Sequence, residues 1–288
     1  MSPRRFSAQP RSRLAVWARR LVMFALPVAL LAIIVERTGI FEITPVMATL
    51  AAALGLAGLG MLLGLAALIR IWFTGHEGAG RAFAALAMGV VILGYPAYLG
   101  YKAYKLPAIH DITTDPYDPP RFEAVARLRT RESNPAAYGG LSVYALQHAA
   151  YPDVEPLEVN ISAKAAYDSA LALVAKRKWS IIDAREPQAG RREGRIEAIA
   201  YSPVMGLRDD VVIRIRAVGP TNARIDMRSS SRYGFHDLGS NAKRIVDLLD
   251  EIDDAASPDK IERAARRDAA RRVQPKAPEK PPAQPARR

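Results

Sequence analysis

Three long stretches without a charge occupy most of the chain before Tyr101. Leu21 to Val35 is an unbroken apolar run, and it extends backward through Trp17 if Arg19 and Arg20 snorkel to an interface. Ile43 to Ile69 is longer and rich in Gly and Ala, with Gly60 and Gly64 at the small-xxx-small spacing that lets helices pack closely in lipid. Ala82 to Tyr101 is the third run, with Tyr95, Tyr98 and Tyr101 at the level of an interfacial aromatic belt and Pro96 placed to kink its end. Runs of this length predict membrane-spanning helices. The first is expected to be an uncleaved anchor: Glu36, Arg37 and Thr38 follow it, with no A-x-A-like cleavage site.

The pattern changes after a Pro-rich connector from Leu106 to Pro120. Short helical stretches are expected around Phe122 to Leu128 and Tyr144 to His148, with a turn at Asn134-Pro135. Leu157 to Ile161 reads as a strand, and Ser162 is placed to cap a helix through Lys178. Four strands follow, Trp179 to Ala184, Arg195 to Ser202, Val211 to Val218 and Ala223 to Ser229, and then a helix from Asp237 to Ile252. In the last two strands, Val211, Ile213, Ile215, Ala217, Ala223, Ile225 and Met227 alternate with charged residues. Keeping both apolar sets on one face requires a hairpin loop of odd length, most simply Gly219-Pro220-Thr221. Arg214 then falls opposite Asp226, and Arg216 opposite Arg224. The predicted fold is α+β: three N-terminal transmembrane helices, then a two-layer sandwich of antiparallel sheet and two helices whose other face is Arg-rich. The chain divides into a basic N-terminus (1–20), a three-helix anchor (21–101), a soluble domain (107–254) and a Pro-rich basic tail (257–288) with a short helix expected from Ile261 to Arg271.

Charge refines this picture. The net charge of +12 lies at the two ends: six arginines and no acid before Leu21, and a net +6 after Ala256, with the body balanced. A nucleic-acid-binding domain carries its positive charge in the folded body, so no nucleic-acid partner is expected. The six N-terminal arginines place the N-terminus in the cytoplasm, and three spans then put the soluble domain outside it; Lys102 and Lys105 oppose this weakly. The second and third spans hold no ionisable side chain, against the requirements of a transport pathway. Absence of cysteine excludes disulfides, thiol nucleophiles and Cys-based zinc sites.

Two polar segments are candidates for chemistry. Arg228, Ser229, Ser231, Arg232, Asp237, Asn241 and Arg244 lie where a strand leads through a Ser/Gly loop into a helix N-terminus, a setting able to hold an anion. The competing structural reading makes Asp237 a helix cap and pairs Arg228, Arg232 and Arg244 with Asp209, Asp210 and Asp226. His110, Asp111, Thr113, Thr114 and Asp115 form the second motif. It carries ligand atoms but no further histidine at a metal-site interval, and is expected to hold the connector against the domain. A hydrolase using Ser229, Ser230 or Ser231 with His236 or His110 lacks the Gly-x-Ser-x-Gly turn. No catalytic residue, metal or cofactor is assigned.

His110 to Asp115 with Pro119-Pro120, Tyr151-Pro152-Asp153, and the run Asp226 to Ile245 together resemble the DUF1499 family, an uncharacterised bacterial domain found also in plants, over about Pro107 to Asp254. The resemblance implies a bacterial inner-membrane protein, with apolar helices like those attached to some members, and implies no activity. The expected role is a membrane-anchored extracytoplasmic binding or scaffold module. Its expected partners are the lipid bilayer and an anionic small molecule or envelope protein. A hydrolase-like envelope enzyme and a structural subunit of a membrane complex stay open.

Overall fold

The computed structural model describes residues 10–188 and 193–257; the expected helix from Ile261 to Arg271, the rest of the basic tail, and Arg4 and Arg5 lie outside them. Three helices long and apolar enough to cross a membrane come first: α1 (Arg13–Thr38), α2 (Ile43–Thr74) and α3 (Ala79–Lys105). α1 and α2 end at left-handed glycines, Gly39 and Gly75, where a side chain would be strained. Gly60 lets α2 approach α1 closely: a Cβ there would lie 2.4 Å from a Val22 methyl and 3.0 Å from the Ala18 carbonyl. Gly64 faces the Ala82 carbonyl of α3 in the same way, at 3.3 Å. Gly55 and Gly58 meet nothing within 4 Å. The glycine spacing therefore serves packing within this bundle.

Beyond α3 lie β1 (Asp111–Thr113), a 3₁₀ turn (Val125–Leu128), α4 (Leu141–Ala150), β2 (Leu157–Val159), α5 (Ala163–Lys176), β3 (Ser180–Arg185), β4 (Glu193–Tyr201), β5 (Arg208–Ala217), β6 (Ala223–Ser231) and α6 (Ser240–Ala256). The strands form one open antiparallel sheet in the order β1-β6-β5-β4-β3, with β2 beside β1 on the outer edge of β6. In the β5–β6 hairpin Arg214 pairs with Asp226 and Arg216 with Arg224, the predicted register. Val218 N–H donates to the Asn222 carbonyl at 3.0 Å and closes the loop over Gly219-Pro220-Thr221. Ile213, Ile215, Ile225 and Met227 are fully buried under Ala166, Ala170 and Val174 of α5 and Ile245, Leu248 and Ile252 of α6. Burying each such large side chain is worth roughly 1.5–3 kcal/mol. Ser162 caps α5, its hydroxyl accepting the Ala165 N–H at 3.2 Å.

Two features depart from expectation. β1 forms in the connector, where three residues between Pro-rich flanks give no periodic signal. The Arg-rich sheet face is also covered, because the segment from Asp115 to Ala136 lies across it. Phe122 and Val125 of that segment form a second small core with Ile199 and Val212. Strand alternation shows which side chains share a face and says nothing of what lies over them.

The domain grips the turn between α1 and α2. The Glu132 carboxylate accepts the Ile43 N–H at 2.9 Å and the Thr44 hydroxyl at 2.5 Å, satisfying the first turn of α2, whose own Glu42 makes no cap. Arg37 donates to the Pro203 and Val204 carbonyls in the β4–β5 loop. Replacing Gly60 with Val should lower the thermal stability of the detergent-solubilised chain by the equivalent of about 1–3 kcal/mol. Gly58→Ala, facing open space, should be neutral or stabilising; circular dichroism melts that move equally for both would contradict the packing assignment.

Candidate functional site

The two polar motifs meet along β6. β1 runs antiparallel to it, with Asp111 opposite Ser230 and Thr113 opposite Arg228. β6 continues as a strand through Ser231, so the serine run is not the loop that the sequence suggested. Strand alternation then splits the motif between the two faces of the sheet.

On the covered face, Arg228 is 2% exposed and forms a bidentate pair with Asp111, Nε to Oδ1 at 2.9 Å and Nη2 to Oδ2 at 2.6 Å. Its remaining donors reach the Ala136 carbonyl at 2.9 Å and the Pro120 carbonyl at 3.3 Å. The guanidinium lies 4.4 Å from the Phe122 ring and 5.4 Å from that of Tyr138. Arg232 pairs with Asp210, which also holds Arg129. Asp226 binds Arg214, Arg216 and Arg224, and Asp115 shares all three. Glu197, fully buried, accepts the N–H groups of Glu123, Ala124 and Val125 at 2.8–3.1 Å and Arg195 Nε at 2.9 Å. This is an anion seated on the start of a 3₁₀ turn, and the anion is the protein's own side chain.

On the helix face, Asn241 links Ser229, Ser231 and the His110 carbonyl at 2.8–3.0 Å. Arg244 donates to Ser229 at 2.8 Å and pairs with Asp209 at 2.5 Å, with a further contact to Asn241. Asp237 lies just before α6 and accepts from Gly239 N–H and Asn241 N–H, each at 3.0 Å. Burial pushes its carboxyl up from the ordinary range, and those same backbone donors oppose the shift. Thr114 exchanges hydrogen bonds with the Met227 backbone at 2.9 Å. Thr113 does so with the buried Gln147 side chain, which acts as a one-residue strand on the outer edge of β1.

Every arginine of the first motif is thus matched to a buried carboxylate: Arg228 to Asp111, Arg232 to Asp210, Arg244 to Asp209. Asp209 and Asp210 belong to the set of partners that the pairing reading named; the third observed partner is Asp111, while Asp226 holds other arginines. Glu197, Gln147 and Arg129 carry no sequence motif. Val212 and Ile199, apolar residues on an otherwise charged face, were the available signal that this face is covered.

Residues 111–252 match the model of the family described as "Protein of unknown function (DUF1499)". The soluble part of this chain is a DUF1499 domain. The match begins on Asp111 in β1 and ends on Ile252 in α6, so it includes both polar motifs and excludes the apolar helices. No curated protein matches the chain.

One recess on the DUF1499 domain opens onto the motif. It has a volume of about 530 Å³ and is lined by Pro116, Pro119, Arg121, Phe122, Tyr138 and Arg228, together with Ala136, Ala137 and Gly140. Arg121 is exposed and has no ion-pair partner among the described residues. The Tyr138 hydroxyl is buried without a hydrogen-bond partner among the described residues. Burial, reinforced by Asp111, pushes it up to about 12, so it remains a donor at neutral pH. Among the described residues no group of three His, Asp or Glu side chains could hold a metal ion. Ser229 is fixed by Asn241 and Arg244, and no described hydrogen bond joins His110 or His236 to a serine hydroxyl.

The His110 ring is half-buried, and loss of hydration lowers its affinity for a proton below the ordinary 6.5, against an opposing pull from Asp111. A folded value below the unfolded one means that stability carried by the neutral ring is complete above pH 6.5 and is lost as pH falls through the folded value. Wild type should therefore lose stability relative to His110→Gln as pH falls below about 6.5. Parallel melting curves for the two proteins across that range would contradict this.

Proposed function

We propose that this chain is a membrane-anchored binding module whose DUF1499 domain lies outside the cytoplasm and takes a small anionic amphiphile in the recess over Arg228. The observation that carries the reading is the composition of that recess. Pro116, Pro119 and Phe122 line it beside Arg121, Tyr138 and Arg228, and the Tyr138 hydroxyl has no hydrogen-bond partner among the described residues. Such a mixture of apolar lining and few converging polar groups is the usual make-up of a small-ligand site. Elsewhere on the motif the arginines already hold carboxylates, so an anion arriving there would have to displace a buried internal partner.

Octyl phosphate and hexanoate are suitable probes. Either should raise the melting temperature of the full chain in a dose-dependent way. Ala137→Trp, which fills the recess from an exposed position, should abolish the rise, and Arg121→Ala should reduce it. A rise that survives Ala137→Trp unchanged would sink the recess as the binding site.

Orientation rests on the six N-terminal arginines and on the arrangement of the helix ends. The α1–α2 turn lies against the domain, whereas the start of α1 pairs with the α2–α3 turn, Ser12 N–H to the Glu77 carbonyl at 2.9 Å. These contacts put the N-terminus and the domain at opposite ends of the helices, and with the arginines they favour N-terminus in, domain out. The chain has no cysteine, so one introduced at exposed Asp153 can be labelled cleanly. A membrane-impermeant maleimide should label Asp153→Cys in spheroplasts with sealed membranes. Labelling only after the membranes are broken would reverse the assigned topology.

A further inference from the structure

At the opposite end of the helices from the DUF1499 domain lies a second, basic recess. It has a volume of about 370 Å³ and is lined by Arg11, Arg19, Arg20 and Arg81 together with Val16 and Met23. We propose that this recess holds the phosphodiester of an anionic phospholipid, with an acyl chain running inward along Met23. The proposal rests on the three apolar helices crossing a bilayer with the N-terminus in the cytoplasm, as proposed above, and is independent of the recess over Arg228.

The contrast with the domain is the first argument. There, Arg129, Arg214, Arg228, Arg232 and Arg244 are each paired with a carboxylate. Here, none of the four arginines forms an ion pair among the described residues. Glu77 lies close by, with its backbone held between Pro10 and Ser12, yet its carboxylate pairs with none of them. Four guanidinium groups gathered without a counter-ion repel one another, and an external anion relieves that repulsion.

The second argument is the order of groups along α1. Arg19 and Arg20 come first, and Met23 lies one turn further along, about 5 Å deeper by helical rise. Trp17, more than half exposed, sits on the same turn with Arg20 5.4 Å from its ring centroid, as an aromatic does at a lipid–water interface. Cation above and apolar stem below is the order of a phospholipid headgroup and its chain, and basic pockets between helices on the cytoplasmic side are where anionic headgroups bind. The backbone beneath the site is well fixed. Ser12 caps α1 through Ala15 N–H at 3.3 Å, and at Gly78, where α3 begins, a Cβ would lie 3.3 Å from the Ala15 side chain.

The full chain is purified in detergent and offered equal amounts of phosphatidylglycerol and phosphatidylcholine with matched acyl chains, and retained lipid is counted by native mass spectrometry. Phosphatidylglycerol should be retained roughly tenfold over phosphatidylcholine. The triple variant Arg19→Gln, Arg20→Gln, Arg81→Gln should bring the two to equality. Arg81→Gln alone should move the ratio the same way, which covers the case in which the triple variant folds poorly. Lys243→Gln, which removes an exposed charge of α6 outside both recesses, should leave the ratio unchanged. Equal retention of the two lipids by wild type, or a preference untouched by Arg81→Gln, overturns the proposal. So does displacement of the lipid by an equimolar amount of inorganic phosphate, since the site would then read the phosphate without the lipid. Because wild-type retention is scored separately from the octyl phosphate response, failure here leaves the domain recess standing.

Discussion

Arg228 and Asp111 form a buried, bidentate ion pair that joins the start of the DUF1499 domain to the middle of its sheet. Removing two charges from water costs several kcal/mol per ion, and only good geometry and further hydrogen bonds recover it. Arg228 has both: two oxygens of Asp111, two backbone carbonyls, and the faces of Phe122 and Tyr138. Those groups come from a stretch far from Arg228 in sequence. The pair therefore fixes where β1 lies on β6, and from there the path of the segment that crosses the sheet.

The same solution recurs wherever that segment touches the sheet. Asp210 gathers Arg129 and Arg232, Asp115 and Asp226 share Arg214, and Glu197 holds three backbone N–H groups and Arg195. Breaking one member strands the other, so the network resists substitution even though an apolar core of equal volume could be as stable. A dense arginine motif here is a means of attaching an irregular chain to a charged sheet face. The residues left over, Arg121 and Tyr138 beside Pro116, Pro119 and Phe122, lie at the margin of the network, where we propose that a ligand is met.

Much of this was legible in the sequence. Period-two alternation in residues 211–227 set the parity of the β5–β6 register, and the shortest odd loop, Gly219-Pro220-Thr221, then placed Arg214 opposite Asp226, as observed. Ser162 and Asp237 read as caps, and both act as caps. What escaped was non-local. β1 is three residues long, and its strand character comes from β6 and from the Gln147 side chain. Glu197 is fully buried at a strand position where a glutamate usually faces water. The serine run looked like a loop because Ser and Gly favour turns, and tertiary pairing with β1 overrode that preference. Asp226, one of the expected carboxylate partners, takes none of the three motif arginines, because Arg214 and Arg216 reach it from the neighbouring strand.

The claim that the motif is structural at its centre turns on Asp111 and Arg228. The direct measurement is a double-mutant cycle with Asp111→Asn, Arg228→Met and the double variant, each read as unfolding free energy of the full chain in detergent. Each single change should cost about 3–5 kcal/mol, with the double variant costing clearly less than the sum and a coupling of about 2 kcal/mol or more. Additive losses with coupling near zero would contradict the account, because Arg228 would then owe its place to something other than its partner.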